Sequence, residues 1–159
     1  VHVLDGGLKK WKKENRSTNN KNVITQTSKY VCEENIELVK NKKQIDENID
    51  KKEFNVVDAR SRERFEGKVA EPRKGLRSGS IKNSFCLPFS ELINEDQTFV
   101  SKDKIMEKFK AFKFDHDKNI VFSCGSGVTA SVLALAYSLI NAKYRPTIYD
   151  GSWAEYGKN

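Results

Sequence analysis

The stretch from residue 119 to residue 140 places an apolar run, a short glycine-containing turn and a helical pattern directly after one another, NIVFSCGSGVTASVLALAYSLI. The apolar run IVFS is typical of a strand buried on both faces, and the apolar residues after the turn recur at helical spacing. A buried strand that leads straight into a helix is the repeating unit of parallel sheets. The stretch therefore indicates an α/β fold, and it raises the question of why Cys124 stands in the turn.

Strand and helix patterns alternate over most of the remaining chain. The sequence predicts further strands at residues 30–32, 54–58, 83–89 and 147–150, and helices that follow residue 32 and residue 101. Pro88 ends the third strand, and Ser101 is a predicted N-cap. Because alternating strands and helices require crossover connections, we expect an α/β fold with a mainly parallel sheet of about five strands and helices on both faces.

A short motif near the start of the chain returns near its end. VLDGGLKKW, residues 3–11, aligns with IYDGSWAEY, residues 148–156, through a shared Asp-Gly turn and a final aromatic residue. A repeated domain ending predicts that residues 1–12 are the remnant of a preceding domain, residues 13–28 a polar linker and residues 29–159 one domain. The alternative is that two unrelated turns share a common dipeptide.

Charge and cysteine content limit the classes of function. The 159 residues carry a formal net charge of +7, but the lysines are scattered, which disfavours nucleic acid and suits a small anionic substrate or solvated lysine-rich faces. No apolar run reaches the length of a membrane span. The widely spaced Cys32, Cys86 and Cys124 match neither a disulfide framework nor a zinc site. We therefore expect a reducing compartment: the cytoplasm or, because the chain does not begin with methionine, the mitochondrion.

The turn around Cys124 has the composition of an anion cradle. The N–H groups of Gly125 to Thr129 can converge on one point at a helix N-terminus, which favours a thiolate over a thiol. The alternative is a buried structural cysteine. A cysteine phosphatase would need an arginine to clamp phosphate, but the sixth residue after the cysteine is Ala130, so a single sulfur atom fits the cradle better.

Four segments together, VVDARSRERFEG, EPRKGLRSGSIKNSFCLPF, CGSGVTA and IYDGSW, resemble the second, catalytic domain of the tandem rhodanese family of sulfurtransferases. The resemblance covers residues 29–156. It implies that Cys124 takes a sulfur atom from a donor, carries it as a persulfide and passes it on, and that Ser126 takes part in the proton transfer. It further implies a donor site, without metal or cofactor, formed by Arg64, Arg73, Gly125, Gly127, Val128 and Thr129.

Donor and acceptor remain open at this point. Family members selective for thiosulfate carry basic side chains at the two positions after the cysteine, where this chain has Gly125 and Ser126, so the resemblance favours 3-mercaptopyruvate over thiosulfate. The implied partners are a small anionic donor, a first rhodanese domain, and either cyanide or a thiol acceptor, with thioredoxin as a candidate. The alternative is a relay module that hands sulfur to a protein or to an RNA-modifying partner.

Four other residues are expected to compete with the site residues or to have structural roles. Arg62 lies close enough in sequence to compete with Arg64 for the role in donor binding. Asp58 is expected to anchor loops through hydrogen bonds, and Cys86 to be buried and inert. Cys32 is expected to cap or pack against the start of a helix.

Overall fold

The computed structural model of the protein describes residues 2–113, 115 and 117–158. Its strands are β1 (Val39–Lys40), β2 (Asn55–Asp58), β3 (Phe85–Cys86), β4 (Ile120–Ser123) and β5 (Thr147–Tyr149). Its helices are α1 (Gly7–Lys13), α2 (Lys42–Lys51), α3 (Arg62–Phe65), α4 (Lys102–Lys110), α5 (Val128–Ile140) and α6 (Ser152–Tyr156). Two short 3-10 helices, Ile36–Leu38 and Phe89–Leu92, complete the regular structure of the described residues.

The five strands form one sheet in the order β1-β5-β4-β2-β3. Each of these neighbouring pairs is parallel. β4 lies in the centre, and all of its residues are buried because helices cover both faces of the sheet. The expected α/β fold with about five mainly parallel strands is confirmed, and the sheet is parallel throughout.

Apolar side chains cover the two faces of the sheet in two separate clusters. On one face α4 and α5 pack on the strands, with Phe109 and Phe122 in the cluster. On the other face α2 and α6 pack through Ile45 and Trp153. Because side chains alternate along a strand, Cys124, two residues after Phe122, lies on the α4–α5 face.

The carboxyl ends of β2 and β4 lie side by side, because Asp58 pairs with Ser123 in parallel register. The chain leaves β2 through α3 and a long loop, and it leaves β4 through the cysteine turn. Groups that follow neighbouring parallel strands gather at one edge of the sheet. This register brings the segment with Arg64 and Arg73 next to Cys124.

The predicted strand at residues 30–32 and the helix after it are wrong. Residues 30–35 are exposed and form neither strand nor helix, and Cys32, expected near a helix start, is exposed with them. The edge strand is instead β1, which pairs with β5. α2 begins after it at a capping box, in which Asn41 and Gln44 exchange two hydrogen bonds of 3.0 Å. The strand propensity of residues 30–32 has no effect because none of the strands in the described part of the chain lies beside them.

Residues 2–13 lie outside the sheet. Asp5 accepts a hydrogen bond from the N–H of Phe99 at 3.0 Å, and Lys10 pairs with Asp96 at 2.9 Å, so α1 lies beside the segment that precedes α4. The aligned residues Gly7 and Ser152 each begin a helix, and both have left-handed φ values, 56° and 46°. This likeness supports an internal repeat, while the division into remnant, linker and domain stays a prediction.

No helix within the described ranges is long and apolar enough to cross a bilayer. The same residues include no group of three or more His, Cys, Asp or Glu side chains that could hold a metal ion.

Candidate active site

Cys124 is the first residue after β4, and its exposed fraction is 1%. The turn reaches α5 through Gly127, whose φ of 82° lies in the left-handed region. A side chain at this position would be strained, and its Cβ would lie 3.0 Å from Oδ1 of Asp150. Glycine is therefore required for the tight turn that brings the sulfur of Cys124 to the N-terminus of α5, where the helix dipole favours negative charge.

Residues of helix α6 hold the cysteine turn in place through hydrogen bonds. The hydroxyl oxygen of Ser152 accepts hydrogen bonds from the N–H groups of Cys124 and Gly127, both at 3.1 Å, and its O–H donates to the carbonyl of Tyr149 at 2.8 Å. The N–H of Trp153 donates to the carbonyl of Cys124 at 2.9 Å. Ser152 was missed by sequence analysis, although its place after the Asp-Gly turn that follows β5 is a usable signal. The N–H of Gly127, expected to face the sulfur, is engaged by Ser152 instead.

The thiol of Cys124 lies where hydrogen bonds favour its ionised form. The N–H of Ser126 donates to the sulfur at 3.4 Å. Burial raises the pKa of Cys124, but the Thr129 hydroxyl and the N–H groups of Ser126, Ala130 and Thr129 lower it by more. The pKa of this thiol therefore lies below its ordinary value, which favours the thiolate, the form in which a cysteine is a nucleophile.

A cleft of about 230 Å³ opens beside Cys124. It is lined by Arg64, Glu71, Pro72, Arg73, Leu76, Cys124, Gly125, Ser126, Val128 and Thr129. The structure thus brings the predicted site residues together at one place, with Gly127 buried in the turn and shaping it from within. Their individual roles remain predictions.

The two predicted arginines are held differently. Nε and Nη2 of Arg64 donate to the carboxylate of Glu71 at 3.2 and 2.5 Å, and the guanidinium lies against Gly125, where an added Cβ would be 3.2 Å from Nη2. Arg73 is exposed at the rim of the cleft. Arg62, the competitor for Arg64, pairs with Glu91 at 2.6 Å on the surface. Arg64 is therefore the arginine that faces the cysteine turn.

A buried ion-pair network underlies the cleft, and the sequence patterns did not predict it. Arg60 donates to Asp58 through Nε and Nη2 at 3.0 and 2.8 Å, and to Glu71 through Nη1 at 2.8 Å. Its guanidinium also stacks 4.4 Å from the ring centre of Trp153. Asp58 anchors the loop in this way, as expected. The Asp-x-Arg spacing at the end of β2 was a signal for the pair, whereas nothing local pointed to Glu71.

The three cysteines are free thiols in different environments. Cys86 is buried, as expected, and burial raises the pKa of its thiol to about 12, which disfavours the reactive thiolate. Cys32 is exposed outside any helix or strand. Of the three thiols, that of Cys124 lines the cleft.

The family model of the rhodanese-like domain matches residues 41–159. The chain belongs to the rhodanese family. This rhodanese domain is 35% identical to mouse 3-mercaptopyruvate sulfurtransferase over 156 residues and 36% identical to bovine thiosulfate sulfurtransferase over 157 residues. Each match covers 98% of the chain and 52% of the relative, so the chain spans about half the length of these proteins.

A solved structure with the same fold is that of SseA from Escherichia coli, described as a 3-mercaptopyruvate sulfotransferase with a rhodanese fold. The TM-score is 0.78 at 29% identity, and the match covers 96% of this chain and 56% of SseA. Relatives named for either sulfur donor therefore resemble this rhodanese domain to a similar degree, and their names do not decide which donor it uses.

Replacing Thr129 with valine should raise the pKa of Cys124, because the hydroxyl that donates to the thiolate is lost while the shape of the side chain is kept. A hydrogen bond to a charged group contributes about 1.5–3 kcal/mol, which corresponds to a shift of roughly one to two pH units. The protonated thiol is unreactive, so the midpoint of Cys124 alkylation against pH should move upward. Ser138→Ala, a hydroxyl deletion elsewhere on α5, should leave it unchanged; an unmoved midpoint in Thr129→Val would contradict the hydrogen bond.

Proposed function

We propose that this rhodanese domain is the sulfur-carrying part of a sulfurtransferase and that its donor is 3-mercaptopyruvate. The proposal is carried by one juxtaposition: the low-pKa thiol of Cys124 and the guanidinium of Arg64 share a small cleft. A thiolate is the nucleophile that sulfur transfer needs, and a guanidinium grips a carboxylate with two parallel hydrogen bonds. The names of the relatives support sulfur transfer but include both donors, so the choice of 3-mercaptopyruvate rests on the cleft.

In the first half-reaction the Cys124 thiolate attacks the sulfur of 3-mercaptopyruvate. An S–S bond forms as the C–S bond breaks, and the electron pair of the C–S bond goes to the methylene carbon. That carbon takes up the proton that the donor thiol gives up, so pyruvate leaves and a persulfide anion remains on Cys124. We assign the proton relay to the Ser126 hydroxyl, and the grip on the carboxylate and keto oxygen to Arg64 and Arg73, all of which line the cleft.

In the second half-reaction a nucleophilic acceptor, a thiolate or cyanide, attacks the outer sulfur. The S–S bond breaks, its electron pair returns to Cys124, and the thiolate is restored. The same groups that lower the pKa of Cys124 favour it as the leaving group. Thioredoxin is a candidate thiol acceptor on chemical grounds, because its reduced dithiol can attack a persulfide.

The charge of the cleft favours 3-mercaptopyruvate over thiosulfate. Its lining includes two guanidinium groups, Arg64 and Arg73, and one carboxylate, Glu71. With the Cys124 thiolate counted, these charges cancel, so the cleft offers no surplus cation to a dianion such as thiosulfate, whereas one guanidinium is enough to grip a monocarboxylate. The turn itself contributes no cation, since Gly125 and Ser126 follow the cysteine.

Replacing Ser126 with lysine should therefore shift the donor preference towards thiosulfate, by about tenfold in the ratio of the two kcat/KM values. Ser126 is the better position for this test, because a side chain on Gly125 would already press on Arg64. Initial rates with both donors are measured side by side on the full-length protein. Ser126→Ala removes the hydroxyl without adding charge and separates the two effects. If the unmodified protein uses both donors equally well or prefers thiosulfate, the assignment of 3-mercaptopyruvate as the donor is refuted.

A relay module that hands its persulfide sulfur to a protein or to an RNA-modifying partner is the second candidate. The observation that favours it is Val128, which is 72% exposed at the rim of the cleft beside Cys124 and offers apolar surface to a protein acceptor. Stable persulfidation without turnover of 3-mercaptopyruvate would favour the relay.

We further propose that residues 1–12 end a preceding rhodanese domain, that residues 13–28 are a linker and that residues 29–159 are the catalytic domain. The matching left-handed turns at Gly7 and Ser152 support the repeat, as does the half-length coverage of the relatives. The three free thiols fit a reducing compartment, for which we propose the cytoplasm, with the mitochondrion as the alternative.

A further inference from the structure

We infer that Glu71 is a positioning residue for the sulfur donor, which turns one face of the Arg64 guanidinium towards the Cys124 turn. The inference rests on the proposed function, because it concerns how the donor carboxylate is gripped. It assigns a role to a buried carboxylate that begins the segment EPRKGLRSGSIKNSFCLPF and to which the sequence analysis gave no role.

A guanidinium can grip a carboxylate along two in-plane edges, which we call faces: a side face formed by Nε and Nη2, and an end face formed by Nη1 and Nη2. Glu71 takes the side face of Arg64, accepting from Nε at 3.2 Å and from Nη2 at 2.5 Å. The end face lies over the cysteine turn, since a Cβ on Gly125 would be 3.2 Å from Nη2 and 4.0 Å from Nη1. The face that remains for a donor carboxylate is therefore the one beside Cys124.

Glu71 can hold this orientation because it is itself fixed. Its side chain is 1% exposed, and its Oε1 also accepts from Nη1 of Arg60 at 2.8 Å. Arg60 is anchored in turn by Asp58 at the end of β2 and by the carbonyl of Gly79, both at 2.8 Å. A continuous chain of hydrogen bonds thus connects the sheet to Arg64. The side chain of Arg64 is 27% exposed, and without Glu71 it would lose more rotamer entropy when it binds a donor.

Pyruvate is a suitable probe, because it carries the carboxylate and keto oxygen of the proposed donor but no sulfur. Its binding is measured by how far it slows the alkylation of Cys124 by iodoacetamide, followed on the Cys124 peptide by mass spectrometry. Glu71→Gln should weaken this protection about tenfold, because the charge-assisted hydrogen bonds that orient Arg64 are weakened. The alkylation rate without pyruvate is measured for each variant and serves as its own reference, since Glu71 lines the same cleft as the thiol.

Glu66→Gln is the matched control: Glu66 is an exposed carboxylate of the same segment, paired with Lys68 at 2.6 Å, and its loss should leave the protection unchanged. In an Arg64→Ala background, Glu71→Gln should cause no further loss, because Glu71 acts through Arg64. If thermal melting shows that Glu71→Gln does not fold, Glu71→Asp carries the same test, since it keeps the charge but withdraws it from Arg64.

The inference is overturned if pyruvate protects Cys124 equally well in the unmodified protein and in the folded Glu71 variant. It is also overturned if the Glu71 substitution weakens protection equally with Arg64 present and in the Arg64→Ala background. The proposed function fails on a different observation. If the unmodified protein forms no persulfide on Cys124 with 3-mercaptopyruvate, sulfur transfer is refuted whatever pyruvate does.

Discussion

Replacing Cys124 with serine is expected to abolish sulfur transfer and to leave the fold intact. The hydroxyl of serine is not ionised at neutral pH and cannot carry sulfur as a persulfide, so the rate should fall at least about a thousandfold. The smaller side chain remains within a turn that Ser152 and Trp153 hold through main-chain groups. Turnover of 3-mercaptopyruvate and thermal melting of the full-length protein measure the two halves of this prediction.

The other two cysteines supply matched controls for that experiment. Cys32→Ser removes an exposed thiol, and Cys86→Ser removes a buried one whose pKa is raised to about 12. Neither thiol lines the cleft. Both variants should retain the rate of sulfur transfer. Activity that survives in Cys124→Ser and disappears in either control would place the sulfur carrier elsewhere.

Replacing Arg64 with alanine should raise the KM for 3-mercaptopyruvate ten- to a hundredfold. The loss of a charge-assisted hydrogen bond costs about 1.5–3 kcal/mol, and each 1.4 kcal/mol is about a tenfold change in affinity. Arg64→Lys should recover only part of the affinity, because an ammonium cannot hold Glu71 with one face and a donor with the other. Steady-state kinetics on the full-length protein check both variants.

Substitutions of two other arginines test whether the effect on KM is specific to the arginines of the cleft. Arg73→Ala should also raise the KM, since this exposed side chain lines the cleft. Arg62→Ala should leave KM unchanged, because Arg62 pairs with Glu91 on the surface. An unchanged KM in both Arg64→Ala and Arg73→Ala would show that the donor binds elsewhere.

The central elements of the fold could be predicted from the sequence because local pattern and tertiary position agree there. β2, β4 and β5 are apolar runs that end in turns, and α5 follows β4 without a break. β1 could not be predicted, because an edge strand of two residues is defined by its pairing with β5 and has hardly any pattern of its own. The Asn41–Gln44 capping box was the local signal for α2, and it was overlooked in favour of the apolar spacing before it.

Part of the candidate site could likewise be predicted from the sequence, and part of it could not. The composition of the turn after β4 points to Cys124 as an activated thiol, and the family resemblance points to Arg64 and Arg73. The supporting residues depend on distant segments: Ser152 reaches the turn from α6, and Glu71 meets two arginines only because the loop after α3 folds back. Single-sequence patterns record local spacing, so contacts of this kind become visible only in three dimensions.

The most direct test of the account is the mass of the Cys124 peptide after the full-length protein has been incubated with 3-mercaptopyruvate and freed of excess donor. We expect the mass to rise by that of one sulfur atom, and the rise to disappear when a thiol acceptor or cyanide is added. The peptides with Cys32 and Cys86 should keep their masses. An unmodified Cys124 peptide, or added sulfur on either of the other two cysteines, would contradict sulfur transfer through Cys124.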